Sequence, residues 1–127
     1  MISLEHVNAH VGGFALADIS FEVPQGAYGV VIGPAGAGKT TLLETIAGVV
    51  RATSGRITLG GEDVTHAPPE RRRVGIVYQH AYLFPHLTVR ENIEYGAASK
   101  PAAGDVASRF GVDVLANRSV GSLSGGE

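Results

Sequence analysis

The 127-residue chain contains no cysteine, which excludes disulfides and thiolate metal sites and leaves the redox compartment open. It has no long apolar run. The longest apolar stretches fall far short of the roughly 18 to 20 residues that a membrane-crossing helix needs. An excess of either charge is missing too: ten Lys and Arg face twelve Asp and Glu, for a formal net charge of -2. That balance gives no electrostatic case for nucleic acid or for an anionic membrane surface. The one basic run, Arg71-Arg72-Arg73 beside Glu70, reads as a solvated surface patch. His6, His66, His80 and His86 show no metal-ligand spacing and read as surface or packing residues. Met1 leads straight into "ISLEHV" with neither a basic nor an apolar leader region, so no signal peptide is expected and the default is a cytosolic protein. Internal repeats and low-complexity segments are absent as well.

Glycine is what the chain has in abundance. Eighteen glycines in a chain that is 44% hydrophobic point to tight turns or backbone contacts with a ligand in one modest domain. "MISLEHV" and "FALADISFEV" alternate apolar and polar residues and predict an antiparallel strand pair. "PQGAYG" predicts a turn, and the short apolar run Val30 to Gly33 a strand buried on both faces. Leu42, Leu43 and Ile46, with Val49 or Val50, recur at helical spacing and predict a helix from Lys39 to about Ala47. "SGRITLGGEDV" predicts a hairpin around Gly60-Gly61, and Val74 to Gln79 a second buried strand. Pro85 keeps "HAYLFPHL" irregular, and Thr88 with Glu91 has capping-box spacing for a helix through "VRENIEYG". "SKPAAG" reads as a linker and "DVASRFGV" as a short helix after it. Strands and helices mixed from end to end predict one α/β domain with an antiparallel β lobe at its start.

Gly33-Pro34-Ala35-Gly36-Ala37-Gly38-Lys39-Thr40 fits the phosphate-loop pattern G-x-x-x-x-G-K-[ST] without a mismatch. Glycines let successive backbone N–H groups turn inward as an anion nest, and a helix starting near Lys39 adds its positive end to the same point. Lys39 supplies a charge for β- and γ-phosphates, Thr40 a hydroxyl for Mg²⁺, and Thr41 a contact for the α-phosphate. The alternative is a ligand-free strand–helix turn, and the predicted strand before and helix after count against it.

Beyond that loop, Gln79 closes an apolar stretch and "SLSGGE" (Ser122 to Glu127) follows later. The order of these three motifs, over the whole chain, resembles the ATP-binding cassette (ABC) nucleotide-binding domain: Walker A, Q-loop, then an L-S-G-G signature with Glu127 in its last place. "PPERRRVGIVYQHAYLFPHLTVRENIEYG" most resembles ATPase subunits of molybdate- and tungstate-type importers. Sulfate, sugar, polyamine and iron importers share much of that pattern. The resemblance implies a P-loop NTPase core of ABC type over residues 1–127, comprising β lobe, Walker A, Q-loop, the start of a helical subdomain and the signature. It implies ATP and Mg²⁺ as cofactors, with Gln79 helping to hold Mg²⁺ and the attacking water. "HAYLFPHL" is then where a transmembrane partner docks, the alternative being that Tyr82, Leu83 and Phe84 are packing residues. Adenine stacks on an aromatic of the early β lobe; the candidates are Phe14 and His10, with Phe14 favoured and a purely core role its alternative.

The resemblance also implies that the signature acts in trans. Two domains pair head to tail, so that Ser124, Gly125 and Gly126 close over a nucleotide held by the partner domain. Transmembrane permease subunits and, indirectly, a solute-binding protein complete the expected assembly on the inner face of the membrane. No apolar run ending in Asp-Glu occurs, and Glu62-Asp63 follows a hairpin turn instead of a buried strand. The chain therefore reads as truncated before Walker B, with apolar faces left uncovered. By itself it is expected to bind ATP weakly and hydrolyse it slowly or not at all. The competing readings are a short non-catalytic nucleotide- or partner-binding module and a soluble, non-transport ABC protein.

Overall fold

Alternation of apolar and polar residues builds the first part of the chain. The computed structural model describes residues 1–79 and 82–124, and the chain divides into two compact units, Met1–Ile76 and Val77–Glu127. In the first unit, β1 (Ile2–Val11) pairs antiparallel with β2 (Phe14–Val23) and with β3 (Ala52–Leu59). The short β4 (Glu62–Asp63) closes a hairpin on β3, giving the sheet order β2-β1-β3-β4. The predicted strand pair and the hairpin at Gly60-Gly61 are both present, the two glycines taking positive φ.

Strict alternation in β1 would place Leu4 and His6 on the same face. A bulge between Leu4 and Val7 re-phases the strand instead, so Leu4, Val7 and Ala9 are buried while His6 is exposed. One extra residue on a strand turns every following side chain to the other face. Local polar bonds hold the bulge: the His6 N–H donates to Ser20 Oγ at 2.8 Å, and His6 Nδ1 lies 2.6 Å from Asp18 Oδ1. Leu4, Val7, Leu16, Ile57 and Val64 form a core with Leu42 and Ile46 of helix α1 (Lys39–Ala47). Burial of each large side chain here contributes about 1.5–3 kcal/mol. Helix α1 has the predicted boundaries, with Leu43 on its exposed side and Val49, past the Gly48 C-cap, exposed as well.

Two predicted strands are not formed. Val30 to Gly33 and Val74 to Gln79 belong to no strand or ladder, and Val30, Ile32 and Val77 are 80%, 89% and 97% exposed. An apolar run becomes a strand only where neighbours pair its N–H and C=O groups, and neither run has such neighbours among the described residues.

In the second unit, α2 (Val89–Tyr95) starts at the predicted capping box, with Thr88 as N-cap and Glu91 returning the bond. Helix α3 (Lys100–Arg109) starts earlier than "DVASRFGV", inside the stretch that reads as a linker. Ser99 caps it by accepting from the Ala102 N–H, and Pro101 stands in its first turn, where a missing N–H costs nothing. Backbone bonds from Val89 to Arg118 and from Arg90 to Ala116 tie the start of α2 to the segment after α3.

Candidate functional site

The phosphate-loop residues lie at the start of α1. Gly36 and Gly38 adopt φ of +80 and +85, a left-handed conformation that favours glycine. Gly38 is constrained a second time: a Cβ there would collide with the Phe14 ring and come within 3.2 Å of Leu16 Cδ2. Gly38 is also the N-cap of α1, contributes no side-chain cap, and no acidic residue stands in the first turn. The positive end of α1 is therefore left uncompensated by its own side chains. Lys39 Nζ arches back over the loop and donates to Gly33 O at 2.8 Å and Pro34 O at 2.7 Å. These two bonds brace the loop and hold the ammonium at the mouth of the nest.

An open cavity of about 400 Å³ adjoins the loop, lined by Phe14, Gly36, Gly38, Lys39, Thr40 and Thr41. The structure thus brings the predicted phosphate-loop residues and Phe14 together. Phe14 also packs against the core cluster, as its core reading expects. His10, the other aromatic candidate, is exposed on β1. An uncapped helix start, one ammonium and two hydroxyls form a donor set that fits a polyphosphate. Among the described residues no group of three or more His, Asp or Glu could hold a metal by itself. Mg²⁺ fits here only if phosphate oxygens share it with the Thr40 hydroxyl.

Gln79 is exposed at a bend in the second unit. Ser124 is exposed as well, while Gly125, Gly126 and Glu127 lie outside the described residues, as do His80 and Ala81. In the aromatic loop, Tyr82 meets Tyr78 edge-on with centroids 5.2 Å apart, and Phe84 packs on Tyr95 at 4.6 Å. Tyr82 remains 80% exposed.

Two residues that organise these elements escape a reading of the sequence. The basic run is solvated only at Arg71 and Arg73; Arg72 is 4% exposed. The 3₁₀ turn Pro69–Arg71 precedes it, and its side chain extends to backbone carbonyls, where burial lowers the guanidinium pKa without discharging it. Asn92 of α2 is the other. Its Oδ1 accepts from the Phe84 N–H at 2.9 Å, and its Nδ2 donates to Phe84 O at 3.2 Å and Thr88 O at 2.9 Å. Neither stands in a pattern that distinguishes it from a surface polar residue.

A family model described as ABC transporter matches residues 16–127. The chain belongs to the ABC transporter family. It is 40% identical, over 100% of its length, to a molybdate/tungstate import ATP-binding protein, WtpC, of Pyrococcus horikoshii, covering 39% of that relative. It is 39% identical, over 99% of its length, to a sulfate/thiosulfate import ATP-binding protein, CysA, of Synechocystis, covering 38% of it. The chain thus spans well under half the length of these curated relatives. Among solved structures, a dimeric ATP-binding cassette in a post-hydrolysis state, bound to ADP and Pi, superposes with a TM-score of 0.83 at 26% identity. That match covers 99% of this chain and 64% of the cassette. The fold is that of an ABC-type P-loop ATPase with an antiparallel β lobe. No helix among the described residues is long and apolar enough to cross a membrane.

Proposed function

We propose that the chain is the nucleotide-binding part of an ABC importer ATPase that couples ATP binding and hydrolysis to uptake of an oxyanion of the molybdate, tungstate or sulfate class. The observation that carries this reading is the uncapped start of α1, with Lys39 arched over Gly33 and Pro34 and Phe14 against Gly38. The glycines of the loop and the start of α1 offer backbone N–H groups to the phosphates, Lys39 neutralises the β- and γ-phosphates, and Thr41 meets the α-phosphate. Phe14 takes the adenine ring. Thr40 offers its hydroxyl to Mg²⁺, which when bound offsets charge on the phosphate oxygens.

Ser124, Gly125 and Gly126 act on the nucleotide of a second copy, so the working unit is a head-to-tail pair beneath permease subunits at the inner face of the membrane. The oxyanion class rests on the names of the relatives, WtpC and CysA. Hydrolysis and transport are proposed for the protein as a whole.

Equilibrium MgATP binding by the full-length protein tests the reading, with Lys39→Ala as the comparison. Loss of the ammonium is expected to weaken binding by about thirtyfold or more, the equivalent of roughly 2 kcal/mol for a charged hydrogen-bonding group, with little change in melting temperature. Equal affinity in the two proteins sinks the proposal. Stimulation of ATP hydrolysis by molybdate, but not by maltose, in membranes holding the assembled transporter tests the solute class.

A further inference from the structure

Helix α1 is anchored differently at its two ends. At its start, the Phe14 ring and Leu16 lie against Gly38, an apolar contact. At its end, the Arg72 guanidinium reaches its last turn: Nη1 donates to Thr45 O at 2.9 Å and to Ile46 O at 3.0 Å. The same guanidinium donates through Nη2 to Thr65 O at 3.1 Å and through Nε to Ala67 O at 2.9 Å. Thr65 is in turn fastened to the sheet, its Oγ1 accepting from the Ile57 N–H of β3 at 2.9 Å. One planar cation therefore joins the last carbonyls of the phosphate-loop helix to the segment that follows the β3–β4 hairpin. Gly48, the C-cap, leaves the space for it: its φ is +86, and a Cβ there would press on Arg72 Nε and Cζ.

We propose that Arg72 is a positioning residue of the nucleotide site, acting through α1 to fix where the N–H groups of the phosphate loop point. The proposal rests on the nucleotide reading above. Four donors directed at four carbonyls fix orientation as well as distance, which a lysine point charge does not. Helix α1 has nine residues, a rod of about 13 Å at 1.5 Å per residue. A rod that short does not absorb a shift at one end by bending, so a turn or tilt at the Arg72 end reaches Gly38 and Lys39 at the other. Phosphate binding is sensitive to such shifts because it depends on several converging N–H groups at once.

The test compares wild type, Arg72→Met, Arg72→Ala and Arg72→Lys in the full-length protein. It measures the Kd for MgATP at a temperature well below every melting transition, with folding followed by far-UV circular dichroism. Arg72→Met is expected to stay folded and to bind MgATP at least about tenfold more weakly. A cavity of about 490 Å³ opens beside Arg72, lined by Arg51, His66 and Pro68 among others. Free guanidinium ion at non-denaturing concentration can enter it once Arg72→Ala has emptied the side-chain space, and is expected to restore affinity to that variant, whereas the same concentration of sodium or ammonium is not.

A folded Arg72→Met with wild-type affinity overturns the proposal. So does a weakened affinity of Arg72→Ala that guanidinium leaves unchanged, because the loss then reflects general destabilisation. If Arg72→Met or Arg72→Ala does not fold, Arg72→Lys decides: weaker binding at an unchanged melting temperature supports the proposal, and wild-type binding overturns it. A wild-type protein that binds no MgATP refutes the nucleotide reading itself, a result distinct from these.

Discussion

The helices of this chain begin in two different ways. At the start of α2, the Thr88 hydroxyl accepts from the Glu91 N–H, and the Glu91 carboxylate accepts from the Thr88 N–H at 2.7 Å. At the start of α3, Ser99 Oγ accepts from the Ala102 N–H. At the start of α1, Gly38 offers no side chain, and the first turn carries no acid. A helix needs partners for its first N–H groups wherever water does not supply them, and α2 and α3 find partners in their own sequence. Helix α1 has no acid in its own first turn and carries Lys39 as its first residue. Under the nucleotide reading proposed above, that contrast separates a helix built only to fold from one built to receive phosphate.

The contrast breaks most sharply at Gly38. Gly38→Ala adds a Cβ in a left-handed conformation and pushes it into the Phe14 ring. We expect a loss of about 2–4 kcal/mol of stability, from backbone strain plus overpacking. MgATP affinity should fall by about a hundredfold as the loop is displaced. A melting curve and a binding isotherm on the same protein check both numbers, and an intact affinity would remove Gly38 from the site. A smaller effect is expected at the capped helix. Thr88→Ala should cost about 1 kcal/mol in denaturant unfolding and leave MgATP affinity unchanged. A matching drop in affinity would mean that the two helix starts are not functionally distinct.

The starts of α1 and α2 were also the most legible part of the sequence, because their signals are local. The glycine-lysine spacing marks α1 to the residue, and Thr88 with Glu91 marks α2. Alternation in "FALADISFEV" likewise marks β2, whose partner β1 adjoins it in sequence. What could not be read depends on distant groups. An apolar run such as Val30 to Gly33 looks like a buried strand, yet burial requires covering chain that the run itself does not encode. Arg72 is indistinguishable from Arg71 and Arg73 until the carbonyls of Thr45 and Ile46 are brought to it. The bulge at His6 depends on Asp18, Asn8 and Ser20 together, and no periodicity announces it. The start of α3 is a different kind of miss. Ser99 followed by Pro101 is a helix-entry signal, masked because "SKPAAG" also has the composition of a linker. The phosphate-loop pattern of the candidate site is visible in residue spacing alone, whereas the placement of Phe14 against Gly38 required the fold.

The finest distinction between the helix starts is their response to acid. Glu91 holds its carboxyl below the ordinary carboxylate range, chiefly through the bond from the Thr88 N–H and then through that from its hydroxyl. A carboxyl with a lowered pKa in the folded protein binds its proton more readily when unfolded. Its contribution is therefore complete above the unfolded value, about 4.3, and is lost as pH falls through the lower folded value. Glu91→Gln keeps an acceptor oxygen but cannot titrate, so it should flatten the stability profile only below about pH 4.3. Other carboxyls, Asp63 among them, titrate in both proteins and cancel in the difference between the two curves. The start of α1 has no acid of its own to titrate there, so MgATP binding should show no matching difference between wild type and Glu91→Gln over the same range. Superimposable stability curves would mean that the capping carboxylate of α2 contributes nothing measurable. A parallel change in nucleotide binding would mean that the two helix starts, one closed by its own side chains and one open to phosphate, are coupled.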